Sequence, residues 1–266
     1  MKKAIPYVLL LILFGGAAWY SLMKPTKPVD ELPPPVTAPV ETDTQVQAPT
    51  QSGTEVIYPE IEPEPVIPPE PLPVLNESDP EIKQALADIT GADALAQYLV
   101  TDQVISRVVA SIDSLSSRQV PVHINPILPA REAFQVDEEG ESFVLSERNF
   151  ARYDSYVTLL KNMDTGLLTT FYRRYNPLFQ QAWEENGGLG SFEDRLLEVI
   201  DDLLEAPDVS GRIYLTKPEA VYLFEDPDLE ALPAGQKVLV RMGSENASLV
   251  KEKLVEIKEE LGLQGG

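Results

Sequence analysis

Proline is distributed unevenly along this chain of 266 residues, and its distribution limits where a globular fold can form. Residues 24–75 contain 14 of the 24 prolines. Proline fixes φ and removes a backbone donor, so neither a helix nor an inner strand persists through such a segment. Glu-Pro repeats favour extended polyproline II, and like charges extend it further. We therefore predict a disordered Pro/Glu-rich linker over residues 24–75, with a reach of roughly 160 Å when fully extended at about 3.1 Å per residue.

An uncharged apolar segment precedes this linker. Residues 4–23 are long enough to cross a bilayer as a helix, and Trp19 and Tyr20 suit the membrane interface. We predict a transmembrane helix or signal anchor over residues 4–23, with residues 1–3 as a cytoplasmic tip. The alternative is a cleaved secretory signal with a small-residue site at residues 16–18. Both interpretations send the rest of the chain out of the cytoplasm.

Composition excludes several classes of function. The formal net charge is -22, which disfavours nucleic acid and anionic lipid surfaces and favours basic partners. The chain has no cysteine and a single histidine, His123, so thiol catalysis and Cys- or multi-His metal sites are excluded. There is no G-x-S-x-G elbow, phosphate loop or dinucleotide fingerprint. We predict no catalytic residue, no metal site and no cofactor.

Helical periodicity begins after the linker and continues to the C-terminus. Apolar residues recur at helical spacing in several segments, and capping residues mark where those segments start. The predicted helices begin at Asp79, Thr101, Ser146, Asp164, Ser191, residue 235 and Ser244. Pro177 is expected to kink the fourth of these helices. The predicted inward stripes are Val104, Val108, Ile112 and Leu115; Phe150, Tyr153, Val157 and Leu160; Leu196, Val199, Ile200 and Leu203; and Val250, Leu254, Ile257 and Leu261.

Short extended segments interrupt the helices. Strands are predicted near Phe134, from Phe143 to Leu145, and over residues 212–215 and 220–224, whereas the KVLV of residues 237–240 fits either a helix or a strand. The expected fold class is mainly α: a compact helical domain over residues 76–266 with a small β element.

The aromatic segment FYRRYNPLFQQAW offers a candidate binding surface. Phe171, Tyr175, Phe179 and Trp183 share one helix face, which is typical of core. Tyr172 and the two adjacent arginines are predicted to face elsewhere, where arginine and aromatic groups can stack on sugars or hold the carboxylates of peptidoglycan stems. The predicted binding residues are Arg152, Tyr156, Tyr172, Arg173 and Arg174.

Three further motifs have an ordinary structural interpretation beside a functional one. His123 could act as a base but is more typical of a hydrogen-bonded structural residue. Asp194, Glu198, Asp201 and Glu205 share a helix face that is either solvated or open to a basic partner. The amides near Ser244 could bind an anion, although simple capping by Ser244 explains the residue as well.

Several passages together resemble one protein family. They are VLNESDPEIKQAL, NFARYDSYV, FYRRYNPLFQQAWEENG, FEDRLLEVIDDLLEAP and YLFEDPDLEALPAGQKVLVRMGSENASLVKEKL. In order and wording they resemble the bacterial domain-of-unknown-function 3014 family, over most of residues 74–260. The resemblance implies a proteobacterial membrane protein with its domain outside the cytoplasm. Together with the apolar segment, this predicts a protein of the bacterial inner membrane that crosses it once and holds its C-terminal domain in the periplasm. It implies no catalytic residues.

The sequence thus favours a tethered module that binds an envelope protein or a peptidoglycan-type ligand. A long spacer helps a binding domain reach a distant partner, whereas an enzyme acting on small solutes gains little from it. One alternative is an envelope hydrolase with carboxylate acid–base chemistry, which needs two carboxylates converging in a pocket. Another is a purely structural tether.

Overall fold

The computed structural model describes residues 71–91, 96–100, 102–128, 133–140, 142–162, 164–218 and 221–263. The predicted membrane segment at 4–23, the tip at 1–3 and nearly all of the linker predicted at 24–75 lie outside these residues. No helix within them combines the length and apolar character needed to span a bilayer. The core includes the end of the predicted linker, since Leu75 is buried and Leu72 packs against the same cluster.

The described chain is mainly helical, as predicted, with one small antiparallel sheet. Two short 3₁₀ turns occupy Leu75–Glu77 and Val122–Ile124. The α-helices with described bounds are α1 (Asp79–Thr90), α2 (Val104–Leu115), α3 (Arg148–Lys161), α4 (Thr165–Glu185), α5 (Phe192–Leu204), α6 (Pro227–Ala231), α7 (Ala234–Arg241) and α8 (Ser244–Leu263).

Side-chain caps explain several helix starts. The Asp164 carboxylate accepts a hydrogen bond from Leu167 N (3.0 Å), and Ser191 Oγ accepts one from Glu193 N (3.1 Å), as predicted. Helix α2 starts differently. Asp79 accepts from Gln103 N (2.7 Å) and Val104 N (2.9 Å), so α2 is capped by a residue from α1. Thr101, the predicted cap, lies outside the described residues.

The sheet has the strand order β1-β2-β3-β4, with every neighbouring pair antiparallel. In the register, Phe143 lies opposite Leu215, and Leu215 lies opposite Phe224. This face is apolar and forms its own small core with Leu145 and Ile213. The strands are β1 (Val136–Glu139), β2 (Ser142–Leu145), β3 (Tyr214–Thr216) and β4 (Leu223–Phe224), close to the predicted segments.

The main core lies between the helices. Every residue of the four predicted stripes is buried except Phe150, which is half-buried. The aromatic face of α4 is also core, and the helix continues through Pro177 from Thr165 to Glu185. Burial of a Leu, Ile or Phe side chain contributes about 1.5–3 kcal/mol, so these stripes supply the main driving force for folding.

Helix α7 joins the two cores. All eight of its residues are buried, and the KVLV segment is helical rather than extended. Val238 and Leu239 pack in the main core, whereas Val240 packs in the sheet cluster. A helix that contacts apolar side chains on opposite sides must be buried all round.

Gly235 sets how closely α7 approaches its neighbours. A Cβ at this position would lie 2.5 Å from Leu203 Cδ2 and 3.3 Å from the Leu115 carbonyl oxygen. We expect Gly235→Ala to lower the free energy of unfolding by about 1–3 kcal/mol through overpacking, as measured by urea denaturation. Gly262→Ala is the control, because its Cβ meets nothing within 4 Å and alanine favours a helix. Equal stability of the two variants would contradict this account of α7.

Candidate functional site

Three of the five predicted binding residues are buried. Tyr172 is 5% exposed, and its ring lies 5.4 Å from the Phe179 ring, so the prediction that it faces away from the core is wrong. The apolar face of α4 is wider than one stripe because several helices pack on it. Arg152 Nη1 donates to Asn149 Oδ1 (3.2 Å) within the fold. The Tyr156 hydroxyl donates to the Leu128 carbonyl (3.3 Å).

The two arginines of α4 link neighbouring elements. Arg173 Nη2 donates to the carbonyl oxygens of Glu260 (3.0 Å) and Leu261 (3.2 Å) near the end of α8. Arg174 Nη2 pairs with Glu81 Oε1 of α1 (3.2 Å). The structure therefore does not gather the five predicted residues on one exposed surface. Their role in binding a ligand stays a prediction.

The other sequence motifs also have structural partners. The carbonyl of His123 accepts from Arg107 Nη1. Within the acidic face of α5, Glu198 pairs with Arg195 and Asp201 pairs with Lys258. In the part of the chain that the structure describes, no three His, Asp or Glu side chains are grouped as they would be to hold a metal ion. The α5 face thus fits a solvated surface.

A concave site lies between α3 and the start of α8. It encloses about 640 Å³, within the range of ligand-binding clefts. Its apolar lining comes from Phe150, Val157, Met242 and Leu249, of which Val157 and Met242 are buried. Its polar lining is Glu147, Asp154, Thr158, Lys161, Ser244, Glu245 and Asn246. We call this site the α3–α8 groove.

Local sequence explains how the groove is built. Gly243 has φ +84°, and a Cβ there would lie 2.8 Å from the Phe150 ring, so glycine permits the close approach of α8 to α3. Asn246 holds the two helices together. Its buried Nδ2 donates to the carbonyls of Phe150 and Met242 (both 3.1 Å) and to Asp154 Oδ1 (3.3 Å). A buried amide with these acceptors fixes the geometry of the groove.

The start of α8 differs from the predicted cap. Ala247 N donates to the Gly243 carbonyl (2.9 Å), so Gly243 occupies the cap position and Ser244 is the first helical residue. Ser244 and Glu245 are exposed at the groove. The prediction that Ser244 caps the helix is therefore wrong, because the chain turns into α8 through a glycine with positive φ.

The rim of the groove is predominantly acidic. The carboxylates of Glu147, Asp154 and Glu245 are all exposed there, and Lys161 contributes one ammonium group. The N-terminus of α8 adds a partial positive charge of about half an elementary charge. The carboxylates outweigh both, so the groove presents negative potential over an apolar floor. This combination suits a ligand with cationic and apolar groups.

A second unusual environment surrounds α7. Arg241 is only 2% exposed, its guanidinium lies 4.5 Å from the Phe224 ring centroid, and burial lowers its pKa. Its Nε has no hydrogen-bond acceptor within the described residues. Lys237, one turn earlier, is also buried but pairs with Glu230 Oε1 at 2.9 Å. The Arg241 guanidinium does not line the α3–α8 groove.

Sequence reasoning missed the groove. Glu147, Ala151, Asp154, Thr158 and Lys161 do recur at helical spacing, which marks a polar strip on α3. That strip alone is typical of a solvated helix face. The feature that makes it concave is contact with the first turns of α8, and periodicity within one helix does not reveal a partner helix nearly a hundred residues away.

Comparison with known proteins identifies the family. The family model described as "Protein of unknown function (DUF3014)" matches residues 104–258, more than half of the chain. The chain belongs to the DUF3014 family. The match includes α2 to α7 and most of α8, so both walls of the groove lie within the DUF3014 region. Neither the search of curated proteins nor the search of solved structures found a match.

The buried arginine of this DUF3014 domain gives a test by substitution. Removing the charge of Arg241 relieves its desolvation cost and loses a cation–π contact of about 0.5–2 kcal/mol. We expect Arg241→Met to be neutral or to raise the free energy of unfolding by up to about 2 kcal/mol. Lys237→Met should lower it by about 1–3 kcal/mol because Glu230 loses its partner. Urea denaturation compares the free energy of unfolding of the two variants. An equal decrease in both would contradict the view that Arg241 is buried at a cost and Lys237 is stabilised by its ion pair.

Buried tyrosines give the DUF3014 domain a defined response to alkali. Burial raises the pKa of Tyr153 and of Tyr172 above the usual value of about 10. The unfolded chain loses these protons first, so the stabilisation is complete below about pH 10 and is lost as pH rises further. We expect the stability of Tyr153→Phe/Tyr172→Phe to decline less steeply above pH 10 than that of the parent. If the free energy of unfolding, measured with urea, fell equally steeply with pH in both proteins, the alkaline loss of stability would come from other groups.

Proposed function

We propose that this chain is a membrane-tethered binding module that docks an envelope protein in the α3–α8 groove. In this proposal, residues 4–23 anchor the chain in the bacterial inner membrane. Residues 24–71 act as a spacer, since Leu72 and Leu75 belong to the core, and the helical domain works in the periplasm. The observation that carries the proposal is the groove itself, which combines an apolar floor with a charged rim.

The geometry of the groove supports binding rather than chemistry. Its walls belong to two long helices that Asn246 fastens together, so the site is preformed and little ordering cost is paid on binding. The partner would contact Phe150 and Leu249, which are half-buried and accessible from the groove. Large, partly exposed apolar side chains surrounded by polar groups are typical of interaction sites.

The hydrolase alternative rests on the same carboxylates. An acid–base pair works best where burial tunes one carboxyl group and excludes water. Glu147, Asp154 and Glu245 are instead exposed at the rim. The arrangement therefore supports binding better than hydrolysis. A purely structural tether would have no need of a preformed groove.

Site-specific photocrosslinking in cells tests the proposal. A photoreactive amino acid at Thr158 of the full chain, which lies in the groove, should capture a discrete protein. The same amino acid at Gln181, exposed on α4, is the matched control and should not capture it. A chain lacking residues 1–71 should lose the product, because the domain is then neither exported nor held beside its partner. This deletion keeps Leu72 and Leu75 in the core.

Identical products from Thr158 and Gln181 would contradict groove binding. The same product from the chain lacking residues 1–71 would contradict a role for export and tethering by residues 4–23. Mass spectrometry identifies the captured protein in each case.

A further inference from the structure

The charges of the α3–α8 groove specify the chemistry of its occupant. We propose that the groove receives a cationic amphipathic segment of the partner protein. Lys or Arg side chains of that segment lie against the rim carboxylates, and its apolar side chains lie on the floor. This inference rests on the proposed function, and it commits to a basic protein segment rather than an anionic cell-wall polymer.

Two of the rim carboxylates are available for such a ligand. Within the described residues, neither Glu147 nor Glu245 forms an ion pair. The nearest cation in sequence, Arg148, is directed elsewhere, since its Nη2 pairs with Asp137 at 2.7 Å. Among the described residues, Asp154 accepts a hydrogen bond from the neutral amide of Asn246 and forms no ion pair. The three carboxylates thus keep their charge uncompensated at the rim.

The floor accounts for the amphipathic character. Phe150 of α3 and Leu249 of α8 line the groove and are half-buried, and the buried Val157 and Met242 line it as well. A partner that brought charge alone would leave this apolar surface in contact with water. Burial of a leucine-sized side chain there contributes more binding free energy than an exposed ion pair does. Affinity therefore requires apolar groups, and the carboxylates select cations.

The groove also has groups that would favour an anion, namely Lys161 and the N-terminus of α8. They are outnumbered, and Lys161 lies at the far end of α3 from Glu147. At 1.5 Å per residue these two positions are about 21 Å apart, with Asp154 midway between them, so the ammonium group of Lys161 is remote from Glu147. That length accommodates about four turns of a partner helix or six extended residues. Because Glu147 and Lys161 lie at opposite ends of the groove, the bound segment is expected to have a preferred direction.

Fluorescently labelled peptides test the inference on the purified full chain. The probe is a model peptide of leucine and lysine at helical spacing. A matched peptide carries glutamate in place of lysine, and a second carries serine in place of leucine. We expect the leucine–lysine peptide to bind best by fluorescence anisotropy and to weaken as salt rises, because the rim pairs are screened. Tighter binding of the glutamate peptide would overturn the inference in favour of an anionic ligand.

Two charge-matched triple variants locate the binding site. Glu147→Gln/Asp154→Asn/Glu245→Gln should weaken binding of the leucine–lysine peptide by about tenfold to hundredfold, the sum expected of three exposed pairs. Glu205→Gln/Asp208→Asn/Glu225→Gln removes the same charge from exposed positions outside the groove and should change binding less than about twofold. Equal losses would show diffuse attraction to an acidic protein and overturn the inference.

A further variant tests the floor independently of charge. Leu249→Ser should weaken binding of the leucine–lysine peptide by about tenfold while leaving its salt dependence unchanged. Unchanged affinity would overturn the amphipathic part of the inference. Matching unfolding midpoints confirm that each variant is folded.

The two proposals fail separately. Protein capture at Thr158 without binding of the leucine–lysine peptide would leave the proposed function standing and overturn the chemistry assigned to the occupant. Absence of capture at Thr158 would overturn the proposed function itself.

Discussion

The burial of α7 is the constraint on which the rest of the described domain depends. This helix must hold Gln236, Lys237 and Arg241 away from water, and buried polar groups are costly unless they find partners. Gln236 donates to the Asp202 carbonyl (2.6 Å) at the end of α5, and Lys237 pairs with Glu230. Glu230 in turn accepts from Phe224 N (2.9 Å) of β4. The polar groups of α7 therefore fix the position of the sheet relative to the helices, which apolar contacts alone do not specify.

The groove follows from the same constraint. Helix α7 leads through Met242 and Gly243 into α8, and Gly243 with φ +84° sets the direction of that turn. That direction brings Asn246 against Phe150 and closes one wall of the groove. The apolar residues that line the groove thus also pack against the core of the domain. A binding surface built in this way is rigid, so its specificity depends on which charges border it and not on rearrangement.

Sequence patterns predicted the parts of this fold that are local. Stripes such as Leu196 to Leu203 follow from the helical period, and the caps at Asp164 and Ser191 follow from side-chain chemistry. Contacts between distant segments were not predictable in this way. Asp79 caps a helix that begins 25 residues later, and Tyr172 is buried because neighbouring helices cover a second side of α4. The groove depends on α3 and α8 meeting, so its polar residues looked like ordinary surface in the sequence, and Phe150 and Val157 looked like ordinary core.

The net charge of -22 does not by itself explain selective binding. At physiological ionic strength the Debye length is about 8 Å, so exposed carboxylates beyond that distance contribute little to a docked ligand. They speed the approach of a basic partner and keep the protein soluble. Selection among basic partners must come from groups in contact with the ligand. In this domain the groove places uncompensated carboxylates beside an apolar floor, and a rigid junction maintained by Asn246 keeps the two together.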